Sequence, residues 1–220
     1  MQFIDIPTEQ TTAITDILLA LVSAIGVIWI IRTGHRIDRQ KTIIWTFAFA
    51  LLMVSAILGA IAHGIKMSGE TNKLIWQPLN LFLGLSVAFF AIGVIYDFQQ
   101  FRIQKSVVIL ILTLGFIFFA VTLIFPDLFF VFIVYEALTM LFALTSYLIL
   151  YVKRKFTGAN YMTIGIVISI AAAYVQSVES FSLYFIWKFD HNGLFHLIQI
   201  IGLFFLFSGL VKEFKSRRVQ

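Results

Sequence analysis

Seven long apolar segments dominate this sequence of 220 residues. Each holds about 20 or more mostly apolar residues, the length that an α-helix needs to cross the hydrocarbon core of a bilayer. Hydrophobic residues make up 60% of the chain and charged residues only 12%, a charged share about half that of soluble domains. We therefore predict an all-α integral membrane bundle that forms a single domain over residues 1–220. The seven predicted helices are residues 13–32, 43–66, 76–98, 106–125, 128–152, 160–186 and 193–212.

The connector between the fourth and fifth predicted helices is little more than Pro126-Asp127. A proline followed by a polar residue between two apolar segments is typical of a tight turn. The two helices on either side are therefore predicted to be antiparallel neighbours.

Positively charged residues are divided unevenly between the two sets of loops. One set of alternate loops carries thirteen of the sixteen Lys and Arg residues, and the other carries only Lys66, Lys73 and Lys188. Because cytoplasmic loops are enriched in Lys and Arg, this asymmetry predicts an N-terminus outside and a cytoplasmic C-terminus. The same scatter of charge between apolar segments argues against a nucleic-acid partner, and protein partners are not indicated. The short loops and the lack of cysteine favour a multi-pass protein of a bacterial inner membrane.

Polar side chains within the predicted helices lie mainly in the outer half of the membrane. Six of the seven helices contribute such a group there, whereas Asp97 is expected at the cytoplasmic interface beside Arg102 and the inner half has nothing comparable. Ionisable residues are costly in lipid and usually mark functional sites. We therefore predict one polar cavity that opens toward the outer face or the outer leaflet. Its predicted members are Asp16, His63, Gln77, Asn80, Glu136, Gln176, Glu179, His191, Asn192, His196 and Gln199.

Three of the four histidines belong to this predicted cavity, and they indicate a metal site. The chain has no cysteine, so a metal would need His, Asp or Glu ligands. Three protein ligands and an open fourth position are typical of catalytic zinc, which polarises a carbonyl and activates water. We predict Zn²⁺ bound by His63, His191 and His196, with Glu136 or Asp16 as the assisting carboxylate. When His63 and His191 are each considered singly, a structural role is the alternative, for His63 as a hydrogen-bonding partner between helices.

The spacing of the histidines in the last helix limits this prediction. His191 and His196 are five residues apart, which turns them about 140° from each other on a regular helix. His191 is expected to reach the cavity if the helix begins at Asn192 or Gly193, with Asn192 as the N-cap. On the helix itself, Asn192, His196 and Gln199 form one coherent face.

These histidines resemble the zinc ligands of the CREST superfamily, which contains the alkaline ceramidases and the progestin and adipoQ receptors. Ala62-His63-Gly64 is similar to the motif of the second helix, and the segment from His191 to His196, which ends in Leu-Phe-His, resembles the motif of the seventh. The resemblance covers the whole seven-helix layout. It implies a zinc site at the outer ends of these helices and an N-out orientation like that of the ceramidases.

The chain departs from the superfamily pattern at three points. His191 and His196 are five residues apart, whereas the family's two histidines are usually four apart. Gly59 stands where the family has a serine, and Asn80 or Gln77 is the nearest polar group to an aspartate that the family has at the start of the third helix. Asp16 or Glu136 is expected to supply the missing acid. These departures identify the chain as a divergent member.

Three functional hypotheses follow from the sequence. The first is a zinc-dependent hydrolase that cleaves an amide or ester of a lipid entering sideways from the outer leaflet. The second is a receptor or sensor that binds a lipid or small molecule in the same cavity without turnover. The third is a proton-coupled carrier with Glu136 and Glu179 as a relay, which also needs a polar path through the inner half. The residues predicted to orient the ligands or to contact the substrate are Asn80, Gln176, Glu179, Asn192 and Gln199.

Overall fold

A computed structural model describes residues 2–100, 102–125 and 129–218. The described chain is helical apart from one short antiparallel ribbon. Its elements are α1 (Pro7–Gly34), α2 (Arg39–Gly64), α3 (Gly69–Phe98), α4 (Lys105–Ile124), α5 (Phe129–Val152), α6 (Ala159–Ser177), β1 (Leu183–Tyr184), β2 (Lys188–Phe189) and α7 (His191–Arg217). The predicted turn at Pro126-Asp127 lies outside the described residues.

The described part of the chain contains seven helices that are long and apolar enough to cross a membrane. This confirms the prediction of an all-α bundle with seven helices of membrane-spanning length and composition, which fits a multi-pass membrane protein. Apolar side chains such as Ile14, Leu21 and Ile25 point outward along α1, as expected for a helix surrounded by lipid rather than water.

Most helices begin earlier than the sequence predicts. The side chain of Asp38 accepts a hydrogen bond of 2.9 Å from the backbone N–H of Lys41 and caps α2. Ser68 caps α3 in the same way through the N–H of Thr71. The prediction counted only the apolar part of each helix, whereas a helix with a polar N-cap extends beyond the hydrocarbon core.

The predicted sixth helix, residues 160–186, is wrong at its C-terminal end. α6 ends at Ser177, and the following chain forms the β1–β2 ribbon with Leu183 opposite Phe189. Tyr184, Phe185 and Trp187 at this ribbon are exposed. An apolar segment at the end of a helix and an aromatic hairpin have similar composition, so hydropathy alone does not separate them.

The two ends of the bundle differ in the segments that they carry. One end, called here the hairpin end, holds the start of α1, the end of α2 and the β1–β2 ribbon. There the backbone N–H groups of Ile4 and Lys66 donate to the carbonyls of Gly64 and Gln2. The opposite end, called the basic end, holds the connectors at residues 35–38, 99–104 and 153–158 and the end of α7.

α1 and α2 form the centre of the helix packing. α1 packs on α2 and α7, α2 also packs on α3, and α4 packs mainly on α3 while touching α5 only lightly. α6 and α7 approach most closely at Gly158, where an added Cβ would overlap the backbone carbonyl of Gly209. Small residues of this kind allow the backbones of two membrane helices to come into contact.

Candidate functional site

A cavity of about 1170 Å³ lies among the helices toward the hairpin end. Every residue that the sequence predicts as a ligand, acid–base group or contact residue lines it, together with Gln77. α4, to which the sequence assigned no polar group in this region, also contributes Phe118, Thr122 and Leu123 to the wall. The lining residues that were predicted are Asp16, His63, Gln77, Asn80, Glu136, Gln176, Glu179, His191, Asn192, His196 and Gln199.

His196 is buried on α7, its ring is held at Nδ1, and its Nε2 faces a carboxylate. The hydroxyl of Thr15 donates to the carbonyl of Thr12 at 2.9 Å, and its oxygen lies 3.0 Å from His196 Nδ1. A hydroxyl has one proton to donate, so Thr15 accepts from Nδ1–H. In the neutral ring Nε2 then has the free lone pair, and it lies 3.4 Å from Asp16 Oδ1.

His63, near the end of α2, is oriented by a carboxylate. Its Nδ1 lies 2.6 Å from Glu9 Oε2, and because an ionised carboxylate only accepts, Nδ1 carries the proton. The ring also meets Trp76 edge to face, with centroids 5.5 Å apart. His63 and His196 therefore share one arrangement, in which Nδ1 is held by a neighbour and Nε2 keeps its lone pair.

Asp16 on α1 lies over a glycine of α2. A Cβ built on Gly59 would be 2.9 Å from each Asp16 carboxylate oxygen. Gly59, one helical turn before His63 on α2, therefore leaves the space for the Asp16 carboxylate to lie between α1 and α2. Oδ2 of Asp16 is buried and has no hydrogen-bond partner among the described residues.

The start of α7 differs from the prediction. The helix begins at His191, and Asp190, rather than Asn192, is the N-cap through a 2.8 Å hydrogen bond from the N–H of Gly193. Asp190 Oδ1 also accepts from the hydroxyl of Thr12 at 3.0 Å. His191 still lines the cavity although it is helical, and within the described residues its buried Nδ1 has no partner.

The amide side chains of the cavity are only partly hydrogen-bonded. Gln176 Nε2 lies 3.5 Å from Asn192 Oδ1, at the limit of a hydrogen bond. The side-chain oxygens of Gln176 and Gln199 are buried and unpartnered in the described structure. Asn80 is half-buried in the wall, and Glu179 is exposed on the connector after α6.

Glu136 on α5 is the deeply buried carboxylate of the cavity wall. In the described part of the chain, no Lys, Arg or His lies within ion-pair distance of it, and Oε2 has no hydrogen-bond partner. Among the described residues, the cavity therefore contains a carboxyl group without a counter-charge within ion-pair distance.

The fit of these residues to a metal ion is incomplete. Two ligands of a tetrahedral zinc ion with bonds of about 2.1 Å lie about 3.4 Å apart, which is the separation of His196 Nε2 and Asp16 Oδ1. Within the described residues, however, no group of three or more His, Cys, Asp or Glu side chains is arranged to hold a metal. Two donors lie at a separation that suits zinc, and zinc bound by His63, His191 and His196 stays a prediction.

The sequence prediction missed the partners that orient the histidines. Glu9, Thr12 and Thr15 all lie in the first turns of α1, which the prediction left outside the first helix or did not assign to the site. A signal was present, because Thr8, Thr11, Thr12 and Thr15 recur at the spacing of one helix face.

The prediction that the inner half has no comparable polar group is wrong. Asp97 does not pair with Arg102 at the surface; it lies 2.7 Å from Lys41, and both side chains are fully buried. The hydroxyl of Tyr147 donates to Asp97 Oδ2 at 2.8 Å, and Lys41 Nζ lies 4.1 Å from the centre of the Phe156 ring. The basic end therefore contains a buried ionic cluster.

An aromatic layer separates this ionic cluster from the cavity. Trp45 lies one turn from Lys41 on α2, stacks on Phe49 at 5.8 Å and meets Phe90 edge to face at 5.3 Å. Phe49 also contacts Phe207 of α7, with ring centroids 4.5 Å apart. Phe49 and Phe90 line the cavity, so the aromatic layer is its floor.

Comparison with known proteins places the chain in a family without assigning an activity. A model described as a family of unknown function, DUF6962, matches residues 11–214. The chain belongs to DUF6962. The match includes most or all of each of the seven described helices. It also includes every predicted residue of the cavity wall, so the cavity lies within the part of the chain that defines DUF6962 membership. No curated protein and no solved structure matches this DUF6962 chain.

Proposed function

We propose that this protein binds an amphipathic, lipid-like molecule in the cavity at the hairpin end. The observation that supports this is a set of four buried, unpartnered oxygens in one otherwise largely apolar space, as far as the described residues extend. They belong to Asp16, Glu136, Gln176 and Gln199. A buried polar atom without a hydrogen-bond partner destabilises the protein. A ligand that brings hydrogen-bond donors to these acceptors removes this penalty and therefore binds more tightly.

The wall of the cavity supports an apolar chain on the same ligand. Leu123 of α4 and Phe130 of α5 line the cavity and are 47% and 66% exposed. Because α4 touches α5 only lightly, a hydrocarbon chain has a route between these two helices. In a membrane this route leads into the lipid, as the sequence-based hypothesis of sideways entry requires.

The hairpin end is proposed to face the outside and the basic end the cytoplasm. The support is the excess of Lys and Arg in the connectors of the basic end. On this orientation the cavity takes its ligand from the outer leaflet. Residence in a bacterial inner membrane stays a prediction from the sequence.

A single introduced cysteine tests ligand binding directly, because the chain has none of its own. Ser86 is buried and lines the cavity, whereas Ser146 is buried on α5 away from it. With the protein in lipid nanodiscs, we expect a small methanethiosulfonate reagent to modify Ser86→Cys and to leave Ser146→Cys unmodified. Decanol, which can donate a hydrogen bond, is expected to slow the reaction of Ser86→Cys, and decanoate is not.

Two results would contradict the proposal. The cavity is not open to ligands if both cysteines react equally slowly. It is not an amphiphile site if Ser86→Cys reacts quickly but neither decanol nor a longer-chain alcohol slows it.

A second candidate function is metal-dependent hydrolysis, which rests on the pair formed by His196 and Asp16. In the neutral ring, the lone pair of Nε2 faces a carboxylate oxygen at the separation of two zinc ligands. His63 has the Nδ1 contact to a carboxylate that is usual for metal-bound histidines. Bound there, zinc would supply Lewis acidity toward the carbonyl of a lipid amide or ester. In this proposal Thr15 and Glu9 orient the two imidazoles, and Glu136 handles protons.

Metal content by mass spectrometry tests the second candidate. We expect about one zinc ion per purified chain, lost in His196→Ala because a ligand is removed. His35→Ala is the matched control, because His35 is exposed at the basic end, and it is expected to keep the metal. Wild-type protein that stays free of metal after zinc is supplied would exclude this hydrolase while leaving ligand binding intact.

A further inference from the structure

Of the three carboxylates that line the cavity in the described structure, Glu136 is the one that is both buried and without an ionisable side chain within ion-pair distance. Asp16 faces His196, and Glu179 is exposed to solvent at the cavity mouth. Glu136 is only 6% exposed. A carboxylate in such a place is costly unless a cation or several donors reach it.

The hydroxyl groups nearest to Glu136 in the chain cannot supply the missing donor. Tyr135 donates its hydroxyl proton to the carbonyl of Gly84 at 3.3 Å. Thr139 donates its proton to the backbone carbonyl of Tyr135 at 3.0 Å. Both protons are therefore already used.

The neighbours of Glu136 along α5 in the cavity wall are apolar. Phe132 and Met140 lie one helical turn on either side of it along α5, and both line the same cavity. Apolar neighbours of this kind suit methylene groups and offer no competing acceptor. A charged hydrogen bond in such surroundings is about twice as strong as a neutral one.

We propose that the ligand of this cavity ends in a protonated primary amine that pairs with Glu136. The inference rests on the proposed binding of an amphiphile and adds the chemical class of its polar end. A primary ammonium brings the counter-charge that Glu136 lacks and has three donors. Its remaining donors can serve the unpaired oxygens of the cavity, while the aliphatic chain follows the apolar wall toward Leu123 and Phe130.

Competition binding with matched ten-carbon probes tests this selectivity. Decylamine is protonated at neutral pH, as lysine is, whereas decanol has the same chain and no charge. In nanodiscs of zwitterionic lipid, we expect wild-type protein to bind decylamine at least about tenfold more tightly than decanol, which corresponds to about 1.4 kcal/mol. Protection of the Ser86→Cys thiol from modification gives both affinities in one assay.

Variants at two carboxylates test whether Glu136 is the residue that causes the preference for decylamine over decanol. Glu136→Gln keeps the shape and removes the charge, so decylamine is expected to bind no more tightly than decanol. Glu70→Gln makes the same change at an exposed glutamate that does not line the cavity and is expected to keep the full preference for the amine. Glu136→Asp, which keeps a carboxylate, is expected to retain most of it and serves if the glutamine variant does not fold.

The outcomes separate this inference from the proposed function. Equal protection by decylamine and decanol in the wild type would overturn the amine pairing and leave amphiphile binding in place. A preference for the amine that survives in Glu136→Gln would overturn the role of Glu136. If neither probe protects Ser86→Cys, the proposed function itself fails.

Discussion

The ion pair between Lys41 and Asp97 is expected to have a large effect on the free energy of unfolding when one partner alone is removed. At the observed 2.7 Å separation, two unit charges in an effective dielectric of about 20 attract each other by about 6 kcal/mol. Lys41 lies in the first turn of α2 and Asp97 in the last turn of α3, and both positions oppose the helix dipole. Each of the two buried charges is therefore stabilised mainly by the other.

Removing the charge of Asp97 alone leaves a buried lysine without its counter-ion. We expect Asp97→Asn to lower the free energy of unfolding by about 3–5 kcal/mol. Adding Lys41→Met removes the uncompensated charge, keeps an acceptor for Tyr147 and places a thioether against the ring of Phe156. The double variant is therefore expected to recover most of the loss, because a buried ion pair is worth little more than well-packed apolar side chains.

Reversible unfolding in mixed micelles, followed by circular dichroism, measures these differences. Asp5→Asn is the control, because Asp5 and Lys66 form an exposed pair, with 85% and 59% of their side chains accessible. Such a pair contributes at most about 1 kcal/mol. The reasoning is refuted if Asp97→Asn is as stable as Asp5→Asn, or if the double variant is no more stable than Asp97→Asn.

Three further predictions concern backbone positions and a helix cap. Gly59→Ala brings a methyl group within 2.9 Å of both Asp16 oxygens, so we expect decanol to protect the Ser86→Cys thiol several-fold less. Gly69→Ala is the control, because its methyl group meets no atom within 4 Å, and it is expected to leave the protection by decanol unchanged. Gly158→Ala forces a side chain against a facing backbone carbonyl and should lower the unfolding free energy by at least about 1–3 kcal/mol; a variant as stable as wild type would refute the close contact. Asp190→Ala removes the cap of α7 and should cost about 1–2 kcal/mol in thermal unfolding, while Asp190→Asn should keep most of that stability.

The membrane helices and the cavity were predictable because both depend on local sequence properties. Crossing a bilayer requires a long apolar segment, and the fixed rise of a helix converts position in the chain into depth. Asp16, His63, Glu136 and His196 were therefore placed at a common level before their contacts were known, and all four line one cavity.

The buried ionic cluster was not predictable from the same reasoning. Lys41 and Asp97 each lie beside a connector rich in Lys and Arg, where exposure to water is the usual state. Their burial depends on Tyr147 of α5 and on Phe156 of the following connector, which no local pattern places there. The orientation of His196 by Thr15 likewise depends on how α1 meets α7.

The face of α2 connects the two polar regions of the molecule. His63 and Gly59 lie at the cavity, Phe49 and Trp45 form part of its floor, and Lys41 lies in the ionic cluster, about 33 Å from His63 along a continuous helix axis. A hydrogen-bonded helix turns as a unit, so a ligand that rotates α2 at the cavity also changes the distance across the ion pair. By thermodynamic reciprocity, the state of that ion pair then alters the affinity at the cavity by the same factor. A single helix thus joins the cavity to the ionic cluster.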